Sequence, residues 1–69
     1  MNLNDVKYKM IIYWSEEDHS YIADVPELPG CMSDGKTYES AAKNALTAII
    51  EWINTANDLG RKIPIPKKV

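Results

Sequence analysis

The chain has 69 residues, of which 45% are hydrophobic and 26% charged, and its net charge at pH 7 is -2. It is too apolar for a disordered protein, and a chain this short buries only about 60% of the surface that its unfolded form exposes. We therefore expect one folded domain over residues 1–69, with a core at about residues 6–66, that gains stability from a partner or a second copy.

Cysteine usage and the first residues indicate the compartment. Cys31 is the only cysteine, so no disulfide can form within the chain. Polar residues follow Met1 where a signal peptide would be basic and then apolar, and no apolar run approaches the roughly 18 residues of a membrane helix. We expect a cytoplasmic protein that does not enter the membrane.

Residues 6–14 form the first predicted strand, because apolar and charged side chains alternate at the start of this segment and it is rich in β-branched and aromatic residues. Its core face is expected to hold Val6, Tyr8, Met10, Ile12 and Trp14. Residues 15–20 are a polar turn, and residues 21–25 form the second strand of a hairpin. In that strand Ile22 and Asp24 share the face opposite Tyr21, Ala23 and Val25.

Six acids and no lysine or arginine lie between Lys9 and Lys36, whereas the tail holds the cations Arg61, Lys62, Lys67 and Lys68. The acidic stretch is typical of solvated surface, or it steers the protein toward a cationic partner. The basic tail has no aromatic side chain between its cations to stack on bases, which argues against direct nucleic-acid binding.

Two prolines and a glycine interrupt the apolar pattern after the second strand, in the sequence Pro26-Glu27-Leu28-Pro29-Gly30. Neither proline can donate a hydrogen bond to a sheet. We expect a stiff, exposed bend here, followed by a short third strand at residues 31–33 that ends in an Asp34-Gly35 turn.

Residues 38–59 form the predicted helix, with Thr37 as N-cap, Glu39 in the first turn and Gly60 as the stop. Apolar residues recur at helical spacing: Ala42, Ala45, Leu46, Ile49, Trp52, Ile53 and Ala56. Beyond the helix, Ile63 and Ile65 lie between prolines, which allows a short edge strand or an extended tail.

This order predicts an α+β fold, a small antiparallel sheet with one helix packed on one face. The other face then meets solvent or a partner, and it carries the apolar side chains of Ile11, Tyr13 and Ile22. We assign these three residues to an oligomer interface, with a dimer as the smallest expected assembly.

Catalytic patterns are absent from the sequence. His19 is the only histidine and lies in a polar turn, and Cys31 is typical of a small buried side chain. No phosphate-binding or dinucleotide-binding motif occurs. We expect no enzyme activity, no cofactor and no metal; a nuclease that uses the carboxylates of Asp24, Glu27 and Asp34 is the weakest alternative.

Three segments in order, "KYKMIIYW", "YIADVPELPGCMSDGKTYESAAKNALTAIIEWI" and "GRKIPIP", strongly resemble the N-terminal domain of the HicB family of antitoxins. The resemblance covers about residues 7–66. Its most specific part is an ordered set of residues: Tyr21, Ala23, Pro26, Glu27, Leu28, Pro29, Gly30, Cys31, Gly35, Thr37, Glu39, Ala41, Ile63, Pro64 and Pro66.

The resemblance implies a β-β-β-α-β domain with a partial ribonuclease-H-like fold and no nuclease activity. It also implies a partner, the small, basic, mRNA-cleaving toxin HicA, which an acidic and partly apolar surface would suit. We expect that surface to include Asp24, Pro26, Glu27, Leu28, Pro29 and Asp34. The sequence ends at Val69 without the DNA-binding module of longer family members, so direct DNA binding is doubtful.

The leading hypothesis is therefore an antitoxin-like binding protein that neutralises a HicA-type toxin by direct contact. The alternative is a standalone homo-oligomeric module that binds another protein or a small ligand and has no toxin partner.

Overall fold

A computed structural model describes residues 7–65. Strands β1 (Ile11–Ser15), β2 (Ser20–Asp24) and β3 (Met32–Gly35) precede one helix, α1 (Tyr38–Asp58). The strands form an antiparallel sheet in the order β1-β2-β3. This confirms the small α+β architecture, while the ribonuclease-H-like description stays a prediction. Val6, Pro66, Lys67 and Lys68, which entered the sequence predictions, lie outside the described residues.

Strand register assigns the side chains to two faces. Tyr13 pairs with Ile22, and Ile22 pairs with Asp34. On the other face Ala23 packs against Ala41 and Ala45 of α1. The face away from the helix, called the open face below, carries Ile11, Tyr13, Ile22, Asp24, Met32 and Asp34.

The first strand is shorter than predicted, because pairing begins only at Ile11, opposite Asp24. Continued in the same register, Lys9 would lie opposite Pro26, which has no N–H to donate. Tyr8 is nevertheless buried in the core, as its alternation predicted. Trp14 is 44% exposed and packs edge-on against Tyr21, so its assignment to the core was wrong.

The end of the sheet also differs from the prediction. Asp34 and Gly35 belong to β3 and do not form the turn that leaves it. No fourth strand occurs in residues 61–65, so the final β of the β-β-β-α-β order is wrong for the described part of the chain. Pro64 cannot donate to a ladder, and its carbonyl instead accepts a hydrogen bond from the Tyr8 hydroxyl.

Both ends of α1 lie where the sequence predicted them. Thr37 caps the N-terminus: its side chain accepts from the backbone N–H of Ser40, and the Ser40 hydroxyl accepts from the backbone N–H of Thr37. At the other end Gly60 has a positive φ of 70°, and Arg61 N–H donates to the Ala56 carbonyl at 2.8 Å. This is a Schellman cap, which requires the left-handed backbone that glycine adopts easily.

The buried stripe of α1 is rotated from the prediction. Its buried residues are Ala41, Ala45, Ile49, Ile53 and Ala56. Ala42, Leu46 and Trp52, which the pattern also assigned to the core, are only half-buried. The first turns thus contact the sheet through alanines, which lets helix and sheet approach closely. No helix in the described part of the chain is long and apolar enough to cross a membrane.

Candidate interaction surface

The proline bend is a pair of consecutive β-turns. Leu28 N–H donates to the Val25 carbonyl at 3.1 Å, and Cys31 N–H donates to the Leu28 carbonyl at 2.9 Å. Each proline therefore follows the first residue of a turn, where its fixed φ suits the turn and its missing N–H is not needed. Gly30 supplies the positive φ, 77°, at the third position of the second turn. We call residues 26–30 the double turn.

Three buried side chains anchor the double turn. Val25, Leu28 and Cys31 are all buried and belong to one core cluster with Tyr8 and Ile49. Val25 N–H donates to the Cys31 carbonyl at 3.0 Å, which closes the base of the loop. The assignment of Leu28 to a partner surface was wrong in this respect: its side chain is 1% exposed and points into the core.

The two prolines between the anchors face outward. Pro26 and Pro29 are exposed, and Glu27 is half-buried. Trp52 fixes the second turn from the helix, because its indole N–H donates to the Pro29 carbonyl at 2.9 Å. The helical pattern placed Trp52 in the core and did not predict this contact; the indole N–H, which needs an acceptor when the ring is partly buried, is the signal that could have revealed it.

A shallow hollow of about 400 Å³ lies beside the first turn and is lined by Lys9, Pro26, Glu27, Pro64 and Ile65. Burial and then the nearby Glu27 carboxylate raise the pKa of the Tyr8 phenol. The double turn, the segment before β1 and the tail after α1 thus meet at one end of the molecule.

The remaining two predicted partner residues lie on the open face. Asp24 pairs with Ile11 on one side and Met32 on the other, and Asp34 pairs with Ile22. Asp34 is exposed, whereas Asp24 is half-buried. The structure therefore separates the predicted partner set into an acidic part on the sheet and a proline-rich part on the double turn.

The three predicted interface residues share the open face, but they differ in exposure. Ile11 and Tyr13 are 43% and 46% exposed, whereas Ile22 is only 8% exposed. Ile22 is shielded because it occupies the central strand between Tyr13 and Asp34. The expectation that its side chain is uncovered was wrong. It lines a hollow of about 440 Å³ together with Tyr13, Asp18, Met32, Ser33 and Asp34.

Met32 is a further apolar residue of the open face that the sequence analysis did not assign to it. It is 52% exposed and pairs with Asp24. Strand alternation could have revealed it, because Met32 lies between Cys31 and Ser33 in the predicted third strand and so faces away from the buried Cys31. The open face therefore combines exposed apolar side chains with two carboxylates, a composition typical of binding surfaces.

Among the described residues, those that could carry catalysis are not brought together. His19 lies in the exposed β1–β2 turn with a positive φ of 49°. Within residues 7–65 no group of three or more histidines, cysteines or acids could hold a metal ion. Cys31 is 4% exposed, and burial, followed by the nearby Asp24, raises its thiol pKa. A buried thiol that keeps its proton is a poor nucleophile.

We expect Cys31 to react with Ellman's reagent about 100-fold or more slowly in the native protein than after unfolding, because attack requires local opening and a thiolate. The matched control is Met32→Cys in a Cys31→Ser background, which presents a thiol one residue away on the open face. That control should react rapidly without denaturant. Equal rates for the two proteins would contradict the buried position of Cys31.

A family model described as the HicB-like antitoxin of bacterial toxin-antitoxin systems matches residues 8–69. The chain belongs to the HicB-like antitoxin family. The match includes the whole double turn and all three strands, so the surface described above is part of the family domain. This confirms the resemblance derived from the ordered motifs.

Relatives with the name UPF0150 share most of the chain. The UPF0150 protein Ta0767 of Thermoplasma acidophilum is 41% identical over 59 residues, covering 86% of this chain and 84% of that protein. The UPF0150 protein ssl0259 of Synechocystis is 29% identical over 59 residues, covering 86% and 80%. The crystal structure of TTHA0281 from Thermus thermophilus has a TM-score of 0.64 at 24% identity, covering 84% of this chain and 69% of that one. That structure supports the fold alone.

Proposed function

We propose that this protein neutralises a small, basic, mRNA-cleaving toxin of the HicA type by binding it directly. Membership of the antitoxin family supports the role in general. The observation that carries the specific proposal is the double turn. Buried anchors hold it in place, while Pro26 and Pro29 lie exposed between them and Glu27 is half-buried beside them. A preformed loop loses little conformational entropy on binding.

The acids of the open face extend this surface electrostatically. Asp34 and Asp24 lie on adjacent strands among exposed apolar side chains. Carboxylates of this kind accelerate encounter with a cationic protein, while the apolar residues and the double turn supply the contacts that persist in the complex. The proposed role requires binding and no catalysis. It also places the protein in the cytoplasm, where mRNA is cleaved, and includes no direct contact with DNA.

The test of function is co-expression with the small basic protein encoded next to it. Growth and intact mRNA should return when this chain is expressed with the toxic neighbour. A neighbour that stays toxic although the chain is folded and abundant would overturn the proposal. A neighbour without toxicity would favour the alternative of a standalone homo-oligomeric module, which the exposed Ile11, Tyr13 and Met32 also suit.

The test of the surface is the association rate with the purified toxin. Replacing Asp24 and Asp34 together by lysine should slow association about tenfold at low salt and remove most of its salt dependence, with less change in dissociation. The matched control is Asp58→Lys, which reverses an exposed acid at the end of α1. Circular dichroism verifies folding. If the double variant associates at the normal rate at every salt concentration, these acids are only solvated surface.

A further inference from the structure

Three aromatic side chains form a row at the end of the sheet where α1 begins. Trp14 packs edge-on against Tyr21 with 5.1 Å between the ring centroids, and Tyr21 packs against Tyr38 with 4.2 Å between them. The three rings come from β1, from β2 and from the first residue of α1. We call these three residues the aromatic row.

The aromatic row is separate from the double turn. Tyr21 lies near the start of β2, whereas Pro26 follows its end, about 17 Å away for five residues of extended chain. Lys9 and Ile65, near the two ends of the described chain, line the hollow beside Pro26. The row is therefore a second surface feature, which the proposed toxin-binding surface does not include.

The outer rings of the row are exposed and firmly supported. Tyr38 and Trp14 are 59% and 44% exposed, whereas Tyr21 between them is half-buried and packs against the alanine cluster of β2 and α1. The Trp14 indole N–H donates to a Glu16 carboxylate oxygen at 3.0 Å, which fixes the orientation of the ring. Exposed rings on a fixed support are typical of the aromatic anchors of binding sites.

The charges around the row are mainly negative. Residues 14–21 and 36–39 contain four acids and one lysine: Glu16, Glu17, Asp18, Glu39 and Lys36. Glu16 is fixed beside the rings, because its carboxylate accepts the Trp14 hydrogen bond. Aromatic faces next to carboxylates attract a cation, and the same carboxylates repel a phosphate backbone.

We propose that the aromatic row binds an arginine side chain of a cationic protein partner. A planar guanidinium stacks on an exposed ring and donates to the Glu16 carboxylate, of which the Trp14 hydrogen bond uses one oxygen. Lysine carries the same charge but offers neither a planar stacking surface nor paired donors. Binding of this kind does not require the proposed toxin, which is one protein that would carry such side chains.

Nitrogen–proton NMR of the protein titrated with two peptides tests the arginine site. The probes are acetyl-Gly-Arg-Gly-Arg-Gly-amide and the same peptide with lysine in place of arginine. Trp14 and Trp52 each give one indole N–H signal, and Trp52, at the double turn, is the internal control. The arginine peptide should shift the Trp14 signal and leave the Trp52 signal in place. It should also bind about threefold more tightly than the lysine peptide.

Substitutions distinguish the row from general attraction to an acidic protein. Tyr38→Ala, at an exposed position, should weaken binding of the arginine peptide about threefold. Glu16→Gln keeps an acceptor for the Trp14 indole but removes the charge, and it should weaken binding by a similar factor. The matched control is Tyr13→Ala, which removes a 46% exposed ring of β1 on the open face and should bind normally. Circular dichroism verifies that each variant is folded.

Several results would overturn the arginine site. An unmoved Trp14 signal would do so, and so would equal affinity for the two peptides or normal binding by Tyr38→Ala. A Trp14 signal that responds to single-stranded oligothymidylate and not to the arginine peptide would indicate a nucleic-acid surface instead. A signal that moves only as protein concentration rises would assign the row to a second copy of the chain. None of these results depends on the co-expression test, so the arginine site and the toxin-binding role fail separately.

Discussion

Gly35→Ala should destabilise the protein by about 3 kcal/mol, a large part of the roughly 3–10 kcal/mol expected for a domain of this size. A Cβ at Gly35 would overlap the backbone nitrogen of Ala41 and the Ser40 hydroxyl oxygen, and it would lie 2.7 Å from the Ser40 carbonyl carbon. Backbone atoms at the start of a capped helix cannot move aside without separating α1 from β3. Urea denaturation, with the midpoint and slope compared to the wild type, measures the effect.

The other two described glycines are suitable controls, because alanine would destabilise the protein there for a different physical reason. A Cβ at Gly30 or Gly60 would meet no heavy atom within 4 Å, but both residues have positive φ. Alanine there should cost only about 1 kcal/mol, from the left-handed backbone. If Gly35→Ala costs no more than these two, the close approach of helix and sheet is more adaptable than the structure indicates.

Gly35 also illustrates what the sequence could and could not predict. Local signals placed α1 correctly, because Thr37 and Gly60 act through their own neighbours. The same local rule misplaced Gly35, since Asp-Gly is typical of a turn. Its actual role depends on the first turn of α1 packing across β3. Such a contact between distant elements has no signal in the local sequence pattern.

The candidate surface was also predictable only where local sequence patterns determine it. Period-two alternation correctly placed Ile11, Tyr13 and Asp24 on one face. The proline spacing predicted a bend, but it did not show that Leu28 lies between two turns with its side chain inward. That orientation follows from two backbone hydrogen bonds of Leu28: its N–H closes the first turn, and its carbonyl accepts the bond that closes the second. Its burial also requires the helix residues Ile49 and Ile53, which are distant in sequence.

Leu28→Ala should cost about 2–5 kcal/mol, although Leu28 lies in an exposed loop by sequence. Its side chain is 1% exposed and packs in the core cluster with Val25, Ile49 and Ile53. Its backbone joins the two turns, since its N–H closes the first and its carbonyl accepts the bond that closes the second. The truncation therefore leaves a cavity in the core and also loosens the double turn. Thermal and urea unfolding measure the loss.

Pro29→Ala is the matched comparison, because Pro29 is exposed in the same double turn and its removal mainly increases the freedom of the unfolded chain. It should cost at most about 1 kcal/mol. Under conditions where both variants are folded, Leu28→Ala should bind the proposed toxin with nearly normal affinity if the loop re-forms, because the Leu28 side chain is buried in the core. Pro29→Ala should weaken binding if the toxin contacts the double turn. A folded Pro29→Ala protein that binds the proposed toxin at normal affinity would contradict the exposed prolines of the double turn as the contact.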